Sequence, residues 1–179
     1  MNWLTRCLIL LVLLVIPVVG CGERVVTATV CELTSTPEQF NRKLVRVSGS
    51  ISRGFEDFTL ADQSCRSQNQ PDSVWLEYGG MVGSRTIYCC GPIPVRERSK
   101  TLVIDGITTS LVQDSVWREF ESATYRDDGA TATARATIIG RFFAGRTIDS
   151  PDGSTTWNGY GHFGRYSLIA IQQVVSIQK

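Results

Sequence analysis

The chain has 179 residues, with 18 lysines and arginines against 17 aspartates and glutamates, and 42% of it is apolar. That is enough apolar material for one domain with a real core. The charge is near neutral with no dense basic block in the sequence, which makes nucleic acid a poor candidate partner, since counterion release needs clustered Lys and Arg.

From the N-terminus, Arg6 precedes an unbroken apolar run over residues 8–16 and then Pro17-Val18-Val19-Gly20-Cys21. A run of that length is too short to span a bilayer, which takes about 20 apolar residues, and it suits the apolar region of an export signal. Gly20-Cys21 resembles the lipobox of bacterial lipoproteins, with Val18 where Leu is usual and Val19 in place of Ala or Ser. The resemblance implies removal of residues 1–20, acylation of Cys21 and a short tether over residues 21–24; the length that remains is that of a single domain, expected over residues 25–179. It implies a lipid anchor in a membrane of the cell envelope, with the body facing the periplasm or the exterior. Arg6 is the one charged residue in the first 20, so the remainder balances 17 basic against 17 acidic residues.

Period-two alternation dominates the rest of the chain. Strands are expected over residues 25–33, 44–53, 57–62, 73–78, 85–90, 101–104, 132–144 and 166–177. In the second of these Val45, Val47, Gly49 and Ile51 share one face, and Arg46, Ser48, Ser50 and Ser52 the other. Ala134, Ala136, Ile138, Gly140 and Phe142 repeat the pattern. Gly49 and Gly140, inside these strands, mark bulges or sharp bends of a closed sheet. The last strand changes phase at Gln172 and Gln173, where a further bulge is expected. Two helices are expected. Thr36-Pro37-Glu38-Gln39 starts a short turn helix over residues 36–41. A longer one over residues 111–125 is capped by Ser110, with Gln113 three residues on and Val112, Val116 and Phe120 as its apolar stripe. Turns fall at residues 91–94, 127–129 and 150–153.

Setting aside Cys7 in the signal and Cys21 as the lipid attachment point leaves Cys31, Cys65, Cys89 and Cys90. An even number in an exported protein reads as a disulfide framework. Adjacent Cys89 and Cys90 on a strand point to opposite faces, and a bridge between them would depart from normal disulfide geometry. Two bridges are therefore expected, one joining Cys65 to Cys89 or Cys90 across roughly 25 residues. A redox pair, or a metal site completed by His162, is the weaker alternative, since no C-x-x-C is present and zinc sites usually pair ligands at short spacing. No metal and no cofactor is expected.

Cys31-Glu32-Leu33, Pro37-Glu38-Gln39-Phe40-Asn41, Leu44-Val45-Arg46-Val47-Ser48-Gly49, Leu60-Ala61-Asp62 and Val74-Trp75-Leu76 together resemble small exported bacterial proteins of OB-fold type. The resemblance implies an all-β protein with minor α structure: a five-stranded, partly open Greek-key barrel whose face and loops bind oligomeric ligands. It also implies a helix between the third and fourth barrel strands, where residues 111–125 fall. Residues 85–109 exceed what a minimal barrel needs and read as an added hairpin. The resemblance supplies no catalytic residues.

His162 is the sole histidine and lies in Gly159-Tyr160-Gly161-His162-Phe163-Gly164. Its two readings are a structural turn and a ligand contact flanked by Trp157, Tyr160 and Phe163 as stacking surfaces for a sugar or peptide. A serine hydrolase would recruit Ser154 or Ser167 with His162 and Asp149 or Asp152, but G-x-S-x-G is absent. The expectation is a non-catalytic binding module for an envelope protein, peptide or oligosaccharide, and not for nucleic acid. The alternative is an accessory enzyme or weak hydrolase acting on envelope polymers through the His162 loop.

Overall fold

Thr29 and Glu32 set the first departure from the alternating pattern. The Thr29 hydroxyl accepts from the Glu32 backbone N–H, and the Glu32 carboxylate accepts from the Thr29 N–H at 2.7 Å. This reciprocal capping box ends strand β1 at Val25–Thr27 and starts helix α1, Val30–Ser35, where the sequence pattern extends a strand to residue 33. The computed structural model describes residues 22–54, 57–65, 72–83, 96–125 and 131–178. Cys21, Cys89, Cys90, the expected signal segment over residues 1–20, the expected strand at residues 85–90 and the expected turns at 91–94 and 127–129 lie outside the described residues.

Helix α2, Pro37–Phe40, sits where the Thr36-Pro37 signal puts it. Strands β2, Leu44–Arg53, β3, Phe58–Ala61, and β4, Ser73–Tyr78, follow. Short pairings come next, formed by β5, Val82–Gly83, with β6, Arg96–Glu97, and by β7, Val103–Ile104, with β8, Ile107–Thr108. Helix α3 spans Ser115–Thr124. Its cap is Asp114, whose carboxylate accepts from the Trp117 N–H at 2.9 Å, and not Ser110. Residues 111–113 are not helical because the chain is drawn to the last strand, where the Val112 N–H donates to the Gln172 carbonyl. Strands β9, Ala132–Phe143, β10, Arg146–Asp149, β11, Thr155–Asn158, and β12, Leu168–Gln178, complete the chain. The β10–β11 hairpin goes beyond the expected turn at residues 150–153, which forms its tip.

The protein is mostly β with minor α structure. One six-stranded sheet has the order β1-β2-β3-β4-β12-β9, and a further β2–β9 pairing closes β2, β3, β4, β12 and β9 into a ring that leaves β1 at its edge. β4 and β12 run parallel, as do β1 and β2, and the remaining pairs are antiparallel. The β2–β9 register runs unbroken from Leu44 opposite Arg141 to Arg53 opposite Ala132. Gly49 and Gly140 therefore do not bulge there. They allow close approach instead: a Cβ on Gly140 would lie 2.5 Å from the Ala170 carbonyl oxygen. The irregularity falls on β12, which shifts register between Ile171 and Gln173, as its phase change predicts, and again between Val174 and Ser176.

Alternation then sorts the side chains into two cores. Val45, Val47, Leu60, Leu76, Ile138 and Ile169 belong to the main one, into which α1 sends Val30 and Leu33 and α3 sends Phe120. The opposite face of the same strands carries Trp75, Phe143, Leu168 and Ala170, covered by Ile104 and Tyr160. On that covered face the pattern also places two charges. Glu77 is fully buried and pairs with Arg98 at 2.9 Å, while Arg141 is 9% exposed and is clasped by both carboxylate oxygens of Glu23. Arg141 also donates to the Arg42 carbonyl at 2.8 Å, so it ties the start of β1 to the loop before β2.

Cys31 is bonded to Cys65, with Cα atoms 5.0 Å apart. This overturns the expected partnership of Cys65 with Cys89 or Cys90. The 3-10 turn Gln63–Cys65 after β3 packs against α1, a helix that the alternating pattern conceals, and delivers the two sulfurs to one another.

Candidate functional site

The Gly-rich loop after β11 is held by its own backbone. Tyr160 and Tyr166 exchange hydrogen bonds at 2.8 and 3.1 Å, the Gly159 N–H donates to the Gly164 carbonyl, and the Gly164 N–H donates to the Gly161 carbonyl. Gly161 has φ of 68°, and a Cβ there would come within 2.4 Å of the Trp75 ring. Only glycine meets both conditions, so the loop is pressed onto the second core at this point.

At its tip, His162–Gly164 forms a 3-10 turn containing Phe163 at φ 55° and ψ 19°. Such a backbone is costly for a residue with a large side chain. The ring gains little burial in return, since Phe163 is 76% exposed. The His162 ring meets it edge-on, with centroids 4.0 Å apart, and the Arg165 guanidinium lies 5.5 Å from its centroid. Exposed Phe163 and Arg165, with His162 half-buried beside them, form an aromatic and cationic tip, suited to stacking on a planar or C–H-rich ligand face.

The other two expected contacts separate from this tip. Tyr160 is 8% exposed and packs in the second core, so it is not a stacking surface; its ring is drawn in by the bridge to Tyr166. Trp157 is 41% exposed on β11, with its ring edge over Gly145 and Gly159. Tyr166 lies tilted against Trp75, with centroids 5.7 Å apart, and burial, with Asp57 and Asp72 nearby, holds its phenol above the ordinary range.

The groups recruited for hydrolysis are engaged elsewhere. Ser154 donates its hydroxyl to Asp152 at 2.6 Å in the β10–β11 turn, and Ser167 is buried beside β4. Cys31, Cys65 and Asp62 lie within 4.8 Å of one another, but the sulfurs are bonded together and Asp62 accepts from Ser64. A metal site using these thiols therefore loses two of its ligands.

Sequence reasoning missed two polar features. One is a cluster beneath α3, where Arg53 reaches Glu121 at 2.6 Å, Tyr78 donates to the same carboxylate oxygen, and Arg53 lies 4.9 Å from the Phe58 centroid. The other is a cavity of about 790 Å³ between residues 80–82 and 108–113, lined by Thr101, Thr108, Ser110, Gln113 and Gln172. The available signal was weak: Glu77 interrupts the apolar run Val74-Trp75-Leu76 at a position that alternation assigns to solvent. In comparisons with known proteins, the chain matches no family, no curated protein and no solved structure.

Proposed function

We propose that this chain is a lipid-anchored protein of the cell envelope, built on an OB-fold-like Greek-key barrel, that binds a peptide, oligosaccharide or envelope protein without catalysis. The export and lipobox residues before Gly22 support the anchor. Support for the OB-like reading comes from the cyclic order β2-β3-β4-β12-β9, with one parallel contact between β4 and β12 and with α3 between the third and fourth strands of the ring. The observation that carries the binding role is Phe163, a large ring displayed to solvent on a backbone that penalises it. Local strain at an exposed aromatic is a feature of ligand contacts, and it has no packing purpose here.

The test is a titration of the domain with peptidoglycan fragments, oligosaccharides and envelope peptides. Phe163→Ala is expected to weaken binding at least 10-fold, the loss of about 1.4 kcal/mol, with the melting temperature unchanged. Binding that survives the substitution removes the tip from the site. Turnover that disappears in His162→Ala would replace the binding role with the hydrolase.

A further inference from the structure

We propose that the groove beside β1 is a seat for anionic phospholipid headgroups, an inference that rests on the lipid anchor proposed above. The groove encloses about 790 Å³ and is lined by Arg24, Arg42 and Lys43, together with Glu23, Val25 and Leu44. All three cations are exposed, and Arg46, exposed on β2 opposite Thr27, extends the row. The facing carboxylates are Glu23, held by Arg141, and Asp105, 3.6 Å from Arg42. The second pair is more than two-fifths exposed on both sides and so is weak. Among the described residues no ion pair joins Arg24, Lys43 or Arg46.

Position selects the occupant. Glu23 is pinned to the body by Arg141, and Cys21 stands two residues before it. An acyl chain on Cys21 brings the headgroup plane within two extended residues, about 7 Å, of Glu23 in this groove. Val25, 40% exposed among the cations, adds an apolar contact at the interface. Beyond residue 20 the chain is balanced in charge, so attraction to an anionic surface has to come from local arrangement and not from net charge.

The experiment uses the mature chain from Gly22 onward, without an acyl group; this span contains the whole described core and the Cys31–Cys65 bridge. It is sedimented with neutral phosphatidylcholine vesicles and with vesicles that also carry phosphatidylglycerol. Binding to the anionic vesicles is expected to exceed binding to the neutral ones and to fall with added salt. Each cation removed is expected to cost about 5-fold in partitioning. Arg24→Gln with Lys43→Gln should therefore lose on the order of 25-fold, whereas Arg118→Gln, exposed on the outer side of α3, should lose little. Equal binding to both vesicle types, or a double variant that binds as well as the parent at the same melting temperature, overturns the proposal. Displacement by millimolar inorganic phosphate at constant ionic strength also overturns it, because that marks a discrete phosphate site. The mass of the processed protein reports acylation of Cys21 separately, so failure of the anchor is distinguishable from failure of the groove.

Discussion

Phe163 carries the proposed binding role on a backbone that disfavours a large side chain. The left-handed conformation costs a non-glycine residue roughly 1–2 kcal/mol, and a ring 76% exposed recovers little of that by burial. Phe163→Gly removes the steric cost but loosens the unfolded chain by about 0.4–1 kcal/mol. Stability by urea titration is therefore expected to hold or rise by up to about 1 kcal/mol, while binding is lost. A fall of more than about 1 kcal/mol would mean that the ring is packed and not displayed. Glycines and aromatics made this loop legible in the sequence, but Tyr160 and Phe163 looked alike there. What separates them is a hydrogen-bonded bridge to Tyr166 and a pocket over Trp75, neither of which is local in sequence.

At the level of elements, the bridge between α1 and the 3-10 turn after β3 joins two pieces that β-sheet pairing leaves unconnected. It closes a loop with a sequence separation of 34, for which chain entropy gives about 3 to 4 kcal/mol. Cys31→Ser with Cys65→Ser should lose stability of that order in chemical denaturation, with the β-sheet circular dichroism retained; a loss under about 1 kcal/mol would place the stabilisation elsewhere. Strands β2 and β9 are readable to within a residue because ten or more residues of alternating side chains define two faces, and the six-residue β4 is readable from its run of apolar and aromatic side chains. Helix α1 is not, since six residues give too short a window for a helical period to stand out. The bridge was misassigned for the same reason: its geometry depends on that helix.

For the molecule as a whole, the sheet is covered on both faces along β4, β9 and β12, and this explains why alternation fell short. It correctly divided the strands into two faces and treated the outer one as wet, whereas segments far away in sequence enclose Trp75, Glu77 and Arg141. Charge then sets the pH range. Hydrogen bonding to Arg141 holds Glu23 below its ordinary 4.5, and Asp62 and Asp152 are lowered by Ser64 and Ser154. These carboxylates favour the fold when ionised, so their contribution is complete above about 4.5 and is lost as pH falls through the lowered values. Burial, and then the Glu121 charge, push the Tyr78 phenol well above 10.0. Its contribution is complete below about 10 and is lost as pH rises through the raised value. Urea midpoints across pH should form a plateau with both shoulders, and Glu23→Gln should shrink the acidic one alone; an unchanged acidic shoulder would show that Arg141 does not depend on Glu23.

The Glu23–Arg141 clasp also decides how far the protein can travel. With an acyl group on Cys21, a single glycine lies between the anchor and a residue fixed to the body, and two extended residues reach only about 7 Å. A leash that short forbids sweeping or standing clear of the bilayer. On the anchor and the binding role proposed above, a ligand of the Phe163 tip is met at the membrane surface.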